Sequence, residues 1–167
     1  MRSKGLESQL TIPAIHPCPA DAYMQLCAEY TALAQRFDAV AVAGSSLGGF
    51  YATVLAEQYG CRAVLINPAV RPQLLLQKYI GENVNYYTDE HWQFDSTHVE
   101  QLRQLDVEHI SQPDRYLLML QTGDETLDYR DAEAKYVGCP AIVEQGGDHS
   151  FAGFERHIPR MLEFCGI

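Results

Sequence analysis

The sequence predicts an α/β fold with a mostly parallel sheet and helices on both faces. Four short apolar segments have the composition of buried strands, and helix-like segments separate them. The apolar segments lie at residues 38–44, 62–68, 115–125 and 140–150, and the last two run into the loop after the strand. Because strands alternate with helices, we expect a parallel sheet whose functional residues follow the carboxyl ends of the strands.

The remaining elements follow from local signals along the chain. Residues 9–17 are predicted as a short strand closed by prolines, followed by a helix from Asp21, as N-cap, to about Arg36. The helix after residue 44 is predicted to end at Gly60, because glycine favours the left-handed conformation of a C-cap. Further helices are predicted at residues 72–79, 97–105, 128–137 and 153–166, the last of them kinked or divided at Pro159.

Size and charge limit the classes of function. A chain of 167 residues fits one domain, and we predict a single domain over residues 1–167 with an excursion or cap-like segment at about 69–114. The formal net charge of −10 argues against nucleic acid and against an anionic membrane surface as partners. No apolar run reaches the ~18 residues that a membrane span needs, and we expect a cytoplasmic protein.

The cysteines predict neither a disulfide framework nor a zinc site. There are five of them, scattered and without a C-x-x-C pair, so we interpret them as reduced thiols. They are Cys18, Cys27, Cys61, Cys139 and Cys165. Asp95 and His98 have helical spacing, but no further ligand accompanies them, and we predict no metal and no cofactor.

A glycine-rich turn follows the first buried strand. The residues from Gly44 to Gly48, Gly-Ser-Ser-Leu-Gly, match G-x-S-x-G between a strand and a helix, which is the context of a nucleophile elbow. In such a turn Ser46 has a strained backbone, its neighbours two residues away must be small, and the Leu47 N–H can stabilise an oxyanion. The alternative is a phosphate-binding turn, but neither G-x-G-x-x-G nor G-x-x-x-x-G-K-[ST] is matched.

A serine nucleophile needs a base and an acid that orients the base. In this fold the chain order is serine, acid, histidine. His149 lies in a glycine-rich loop after a late strand, where a base can reach Ser46. The acid should follow the preceding strand, where we favour Asp124 in the loop over Asp128, which occupies an N-cap position.

Four separated blocks resemble the YqiA-like esterases, a family of small bacterial α/β-hydrolases. The blocks are GSSLGGFYATVLAEQYG, AVLINPAVRP, TGDETLDYRDA and GGDHSFAGFE. The resemblance implies an α/β-hydrolase fold, a cytoplasmic location, and activity on acyl esters and acyl-CoA thioesters. It also implies that Ser46, Asp124 and His149 are the catalytic residues.

The chain departs from the family pattern at its N-terminus. Family members open with an apolar strand and an H-G-F-x-S-S loop that supplies the second oxyanion N–H, and the sequence here contains neither. We therefore expect a minimal, N-terminally truncated hydrolase domain. This departure leaves two functions open: a carboxylesterase or acyl-thioesterase, or a hydrolase-like remnant that binds without catalysis.

The excursion at 69–114 is rich in aromatic residues, from Tyr79 to Phe94. Two interpretations remain open: an aromatic wall that holds an acyl chain, for which Tyr86 and Trp92 are the candidates, or ordinary packing onto the helices. Arg71 could bind an anionic part of the substrate or form a structural ion pair. The predicted partner is a small-molecule acyl ester or thioester, without nucleic acid or membrane.

Overall fold

The computed structural model describes residues 9–84 and 91–167, and its central feature is a four-stranded parallel sheet. The strands in chain order are β1 (Val42–Ser46), β2 (Ala63–Pro68), β3 (Gly81–Val84), β4 (His91–Phe94), β5 (Tyr116–Gln121) and β6 (Ala141–Glu144). The parallel sheet has the order β1-β2-β5-β6, and β3 pairs with β4 in a separate antiparallel hairpin. The predicted fold class is confirmed.

Helices cover both faces of the sheet, as the sequence predicts. They are α1 (Pro19–Ala34), α2 (Leu47–Tyr59), α3 (Pro72–Leu75), α4 (Ser96–Leu105), α5 (Tyr129–Lys135) and α6 (Ile158–Cys165). Alternate residues of β2 point to opposite sides: Leu65 packs in a cluster with residues of α2 and α5, and Ile66 packs in a cluster with residues of α6. This alternation is the two-residue period of a strand buried on both faces.

The ends of two helices follow their sequence signals. Gly60 has φ 70°, and its N–H donates to the Ala56 carbonyl, which ends α2 in the left-handed conformation that glycine adopts easily. The C-terminal segment is divided, with a 3₁₀ turn at Phe154–His157 before α6. Pro159 lies in the first turn of α6, where its missing N–H costs nothing.

The predicted strand at residues 9–17 is wrong. The backbone there is irregular, because Pro13 and Pro17 have no N–H to donate and the segment lies beside no strand in the described parts of the chain. The Gln25 side chain holds the segment instead, donating to the Ala14 carbonyl at 2.8 Å and accepting from the His16 N–H at 3.2 Å.

The first strand of the sheet begins later than the sequence predicts. β1 starts at Val42 rather than at residue 38, because its partner β2 starts at Ala63 and the two residues are paired. Within the described residues, β1 pairs with β2 alone and is an edge strand. Every residue of β2 and β5 is buried, so the two strands in the middle of this sheet form its core.

Residues 72–84 and 91–105 lie outside the parallel sheet. They contain α3, a 3₁₀ turn at Leu76–Tyr79, the β3–β4 hairpin and α4. The hairpin was not predicted, since its residues show no alternation strong enough to separate strand from loop. Among the helices of the described residues, none combines the length and apolar character required to cross a bilayer.

Candidate active site

The turn between β1 and α2 has the backbone of a strained elbow. Ser46 is the last residue of β1 and has φ 54° and ψ −122°, a region that residues with a side chain rarely adopt. A Cβ atom on Gly44 would lie 2.1 Å from the Gly48 carbonyl oxygen, so only glycine fits at that position. The strand and the helix therefore meet in backbone contact, and Ser46 occupies the corner between them.

The predicted requirement for a small residue is confirmed at Gly44, but on the helix side it lies one position later than predicted. A Cβ atom on Gly48 would meet no side chain within 4 Å and no backbone outside its own helix. A Cβ atom on Gly49 would lie 2.7 Å from the Pro68 side chain at the end of β2. The close contact on the helix side is therefore made by Gly49, because α2 crosses the end of β2 there.

Ser46, His149 and Asp124 form one continuous chain of hydrogen bonds. His149 Nε2 lies 3.0 Å from Ser46 Oγ, and His149 Nδ1 lies 2.8 Å from Asp124 Oδ2. Ser46 ends β1, while His149 and Asp124 lie in the loops after β6 and β5, and the carboxyl ends of these strands meet at one edge of the sheet. We call these three residues the reactive edge.

Asp124 is held more firmly than the other candidate acid. Its side chain is 2% exposed, and Oδ1 accepts the backbone N–H groups of Thr126 and Leu127 at 2.8 and 2.9 Å. Asp128 instead accepts the Arg130 N–H at the start of α5 and pairs with the Arg130 guanidinium, in an exposed position. The structure thus brings Asp124, and not Asp128, to the imidazole of His149.

Polar groups surround the base of the His149 loop. Glu125 accepts the backbone N–H of His149 at 3.1 Å. The carboxylate of Glu144 receives hydrogen bonds from the Gln121 amide and the Arg156 guanidinium and lies 3.0 Å from His157 Nε2. The hydrogen bond from Gln121 makes the largest contribution to lowering the pKa of Glu144 to about 2. The contacts with Arg156 and His157 act in the same direction, because each favours the charged carboxylate.

A cavity of about 320 Å³ opens beside Ser46 and Leu47. Much of its lining is apolar, and we call five of these residues the apolar wall: Leu75, Leu76, Trp92, Phe94 and Leu127. The polar side chains of Lys78, Tyr79, Asn83 and Thr126 also line it. Phe94 is 3% exposed and makes an edge contact with Trp92, and both pack in a cluster with Phe50, so β4 is packed against the protein.

The predicted substrate-binding residues have different positions. Trp92 lines the cavity at Ser46. Arg71 is not among the residues that line it, and its guanidinium lies 3.9 Å from the carboxylate of Asp131, with both side chains more than half exposed. Tyr86 lies outside the described residues. A substrate-binding role for these three residues stays a prediction.

Sequence reasoning missed Lys78 and Leu127. Lys78 belongs to the 3₁₀ turn after α3, and no motif distinguishes it from other surface lysines. Leu127 follows Asp124 within three residues, so its proximity to the site could have been inferred from the loop. Only the packing of the excursion against the loop after β5 brings both residues to the cavity.

Two groups of potential metal ligands have other roles. Asp95 accepts the N–H groups of Thr97 and His98, while His98 Nδ1 accepts the Asp95 N–H, which forms a capping box at the start of α4. His16, Cys18 and Asp21 have ligand atoms within 4.8 Å of one another. We assign no metal to them, because His16 Nδ1 accepts the Cys18 N–H and Cys18 Sγ donates to Gln101.

The sequence matches the model of a protein family described as uncharacterised protein family UPF0227, over residues 2–166. The chain belongs to this family. UPF0227 is the YqiA family, an α/β-hydrolase-like esterase family, so the resemblance identified in the sequence is confirmed.

Solved structures similar to this UPF0227 protein are α/β hydrolases of low sequence identity. Est1E from Butyrivibrio proteoclasticus, in a structure with ferulic acid bound, has a TM-score of 0.67 and 17% identity over 89% of this chain and 70% of its own. The esterase domain of a Rhodothermus marinus protein has a TM-score of 0.61 and 16% identity over 86% of this chain and 67% of its own.

Some of these similar structures are considerably longer than this chain. A protein from Agrobacterium vitis S4 has a TM-score of 0.55 and 20% identity over 74% of this chain, which spans 60% of that protein. At these identities the similarity establishes the α/β-hydrolase fold alone.

Proposed function

We propose that this protein is a serine hydrolase that cleaves carboxylic esters or acyl thioesters through an acyl-enzyme. The observation that carries the proposal is the distance of 3.0 Å between Ser46 Oγ and His149 Nε2, with Asp124 on the opposite ring nitrogen. Nucleophile, base and orienting acid are thus within hydrogen-bond reach in the order that hydrolysis requires. Membership of the YqiA family supports the same reaction class.

The proposed reaction begins with proton transfer from Ser46 to His149. Asp124 accepts a hydrogen bond from the Nδ1–H of His149, which leaves Nε2 unprotonated and able to take the Ser46 proton. Ser46 Oγ attacks the acyl carbonyl, and the Leu47 N–H donates to the oxyanion. His149 then protonates the leaving alcohol or thiol, and afterwards activates the water that hydrolyses the acyl-enzyme.

The cavity suggests how a substrate binds. An acyl group in the cavity would contact the apolar wall while its carbonyl lies near Ser46. Lys78 lines the same cavity and offers a cation to an anionic part of a substrate. We propose that the excursion at 69–114 acts as a cap that supplies this wall, with Trp92 as its aromatic contact.

A labelling experiment with an alkyl fluorophosphonate tests the proposal, because this reagent forms a covalent bond with an activated serine. We expect the wild-type protein to be labelled at Ser46 and to hydrolyse p-nitrophenyl acetate. In Ser46→Ala we expect no labelling, and a turnover lower by roughly 10⁴–10⁶-fold, with an unchanged thermal melting curve.

The alternative function is a hydrolase-like binding module. The position of β1 at the edge of the described sheet favours it, since the elbow then lacks support on one side. Cooperative melting without Ser46-dependent labelling would favour the binding module. Wild-type turnover in Ser46→Ala would assign hydrolysis to another residue.

A further inference from the structure

The His149 loop rests on two buried side-chain amides. Asn67 lies near the end of β2 and Gln121 at the end of β5, and each is 2% exposed. Among the described residues, neither side chain forms a hydrogen bond with Ser46, and no catalytic motif includes these two residues. They lie directly beneath the segment that presents the imidazole.

Asn67 binds the backbone of His149 itself. Its Nδ2 group donates to the carbonyl oxygens of Asp148 and His149, at 3.1 Å in both cases. Its Oδ1 atom accepts the backbone N–H of Gln121 at 3.0 Å. Both donors and the acceptor of the amide are therefore used, and two of the three bonds fix the backbone of the proposed base.

Gln121 binds the same loop from the neighbouring strand. Its Oε1 atom accepts the Asp148 N–H at 3.0 Å, and its Nε2 group donates to the Ala152 carbonyl at 2.9 Å and to Glu144 at 2.8 Å. The loop is packed against this amide so closely that a Cβ atom on Gly147 would lie 1.9 Å from Oε1. The loop thus has little space to shift relative to β5.

We propose that Asn67 and Gln121 are positioning residues that hold the imidazole of His149 within hydrogen-bond distance of Ser46. The inference rests on the proposed function and adds two residues to it. Displacing a catalytic group by about 1 Å can lower a rate by about 10²-fold, so bonds that fix the His149 backbone affect the reaction without touching the substrate.

Asn67→Asp is a suitable test, because it keeps the shape of the side chain while it replaces the donor group by an oxygen and adds a negative charge. Asn67 has φ 38°, a left-handed backbone that Asn and Asp tolerate better than most residues. Aspartate keeps the volume and the acceptor for the Gln121 N–H, but it presents oxygen to two carbonyl groups. Gln121→Glu is the corresponding change on β5, where the donors to Ala152 and Glu144 are lost.

A matched control is Gln73→Glu. Gln73 is also a buried glutamine, and its Nε2 group donates to the carboxylate of Asp106 at 2.8 Å. The substitution places a carboxylate beside Asp106, just as Gln121→Glu places one beside Glu144. Gln73, however, makes no hydrogen bond to the His149 loop among the described residues. The variant measures what a loss of stability alone does to the rate.

The measurements are kcat and KM for p-nitrophenyl acetate, the rate of fluorophosphonate labelling, and the low-field NMR resonance of the proton between His149 and Asp124. The Asn67→Asp variant is measured at a temperature well below its Tm. We expect its kcat and its labelling rate to fall by about 10²-fold, and we expect the resonance to shift or disappear. We expect Gln73→Glu to retain the resonance and a kcat within about threefold of wild type at a comparable loss of Tm.

Different results separate the two proposals. A wild-type kcat and an unshifted resonance in folded Asn67→Asp would overturn the positioning role. If the wild type were not labelled at Ser46, the proposed hydrolase function would fail, while the His149 resonance would still decide the positioning role. Should Asn67→Asp fail to fold, Gln121→Glu carries the same comparison and the same two outcomes.

Discussion

The reactive edge and the apolar wall meet at the cavity, which Ser46 also lines, but they are constructed differently. Each residue of the reactive edge lies at or just after the carboxyl end of a strand of the parallel sheet. Hydrogen bonds fix these residues, including those that two backbone N–H groups donate to Asp124. The apolar wall comes largely from short elements, α3, a 3₁₀ turn and the β3–β4 hairpin, held by side-chain packing.

This difference matches what each region is proposed to do. Proton transfer depends on distances of about 3 Å between specific atoms, so its residues need a rigid support. An acyl chain needs mainly volume and apolar surface, which several arrangements of side chains can supply. Substitutions in the two regions should therefore have different consequences, from complete loss of turnover to a change of chain-length preference.

The largest difference is expected between two neighbouring acids. Asp124→Asn keeps one carbonyl oxygen, which the N–H groups of Thr126 and Leu127 occupy, so its NH2 group faces His149 Nδ1 and favours the wrong tautomer. We expect kcat to fall by about 10⁴-fold. Asp128→Asn is the control, since asparagine caps a helix as well as aspartate does, and we expect kcat within about threefold of wild type. Steady-state hydrolysis of p-nitrophenyl acetate measures both. A large loss in Asp128→Asn with little loss in Asp124→Asn would reverse the assignment.

An intermediate effect is expected from the apolar wall. Trp92→Ala removes aromatic surface from the cavity, and the preference for an octanoyl over an acetyl p-nitrophenyl ester, as a ratio of kcat/KM, is expected to fall by about tenfold. That figure corresponds to lost contact with about two methylene groups. Turnover of the acetyl ester should change little, because its acyl group is too short to reach the wall.

The control for Trp92→Ala is Phe164→Ala. Phe164 packs in the cluster beneath α6 and does not line the cavity. The Phe164→Ala variant should have a lower Tm but the same ratio of kcat/KM for the octanoyl and acetyl esters. An equal change of the ratio in both variants would mean that Trp92 acts through the stability of the fold.

The smallest effect concerns the polar network behind the reactive edge. Because the pKa of Glu144 is lowered from 4.5 to about 2, the unfolded chain binds a proton before the folded chain does as the pH falls. The contribution of Glu144 to the free energy of unfolding is fully present above about pH 4.5 and is lost as the pH falls toward 2. In Glu144→Gln this component is absent, so Tm should decline less steeply between pH 5 and 3 than in the wild type. An identical slope in the two proteins would contradict the contribution of Glu144.

Much of the reactive edge could be predicted from sequence, because its signals are local. The elbow requires glycine at Gly44, because the backbone of Gly48, four residues later, lies against it. His149 is recognisable because it lies in a glycine-rich loop after a late strand. Prediction failed where an element depends on a neighbouring strand. The strand expected at residues 9–17 has no partner within residues 9–84 and 91–167, and β1 begins only where β2 can pair with it.

The sequence by itself determined the alternation of strands and helices, the corner at Ser46 and the order of serine, acid and histidine. These follow from apolar periodicity and from the backbone freedom of glycine, both of which act over a few residues. Tertiary structure alone decided that Asp124 rather than Asp128 faces His149, that Asn67 and Gln121 lie beneath it, and that Lys78 lines the cavity. These depend on contacts between residues far apart in the chain, which only the packed sheet brings together.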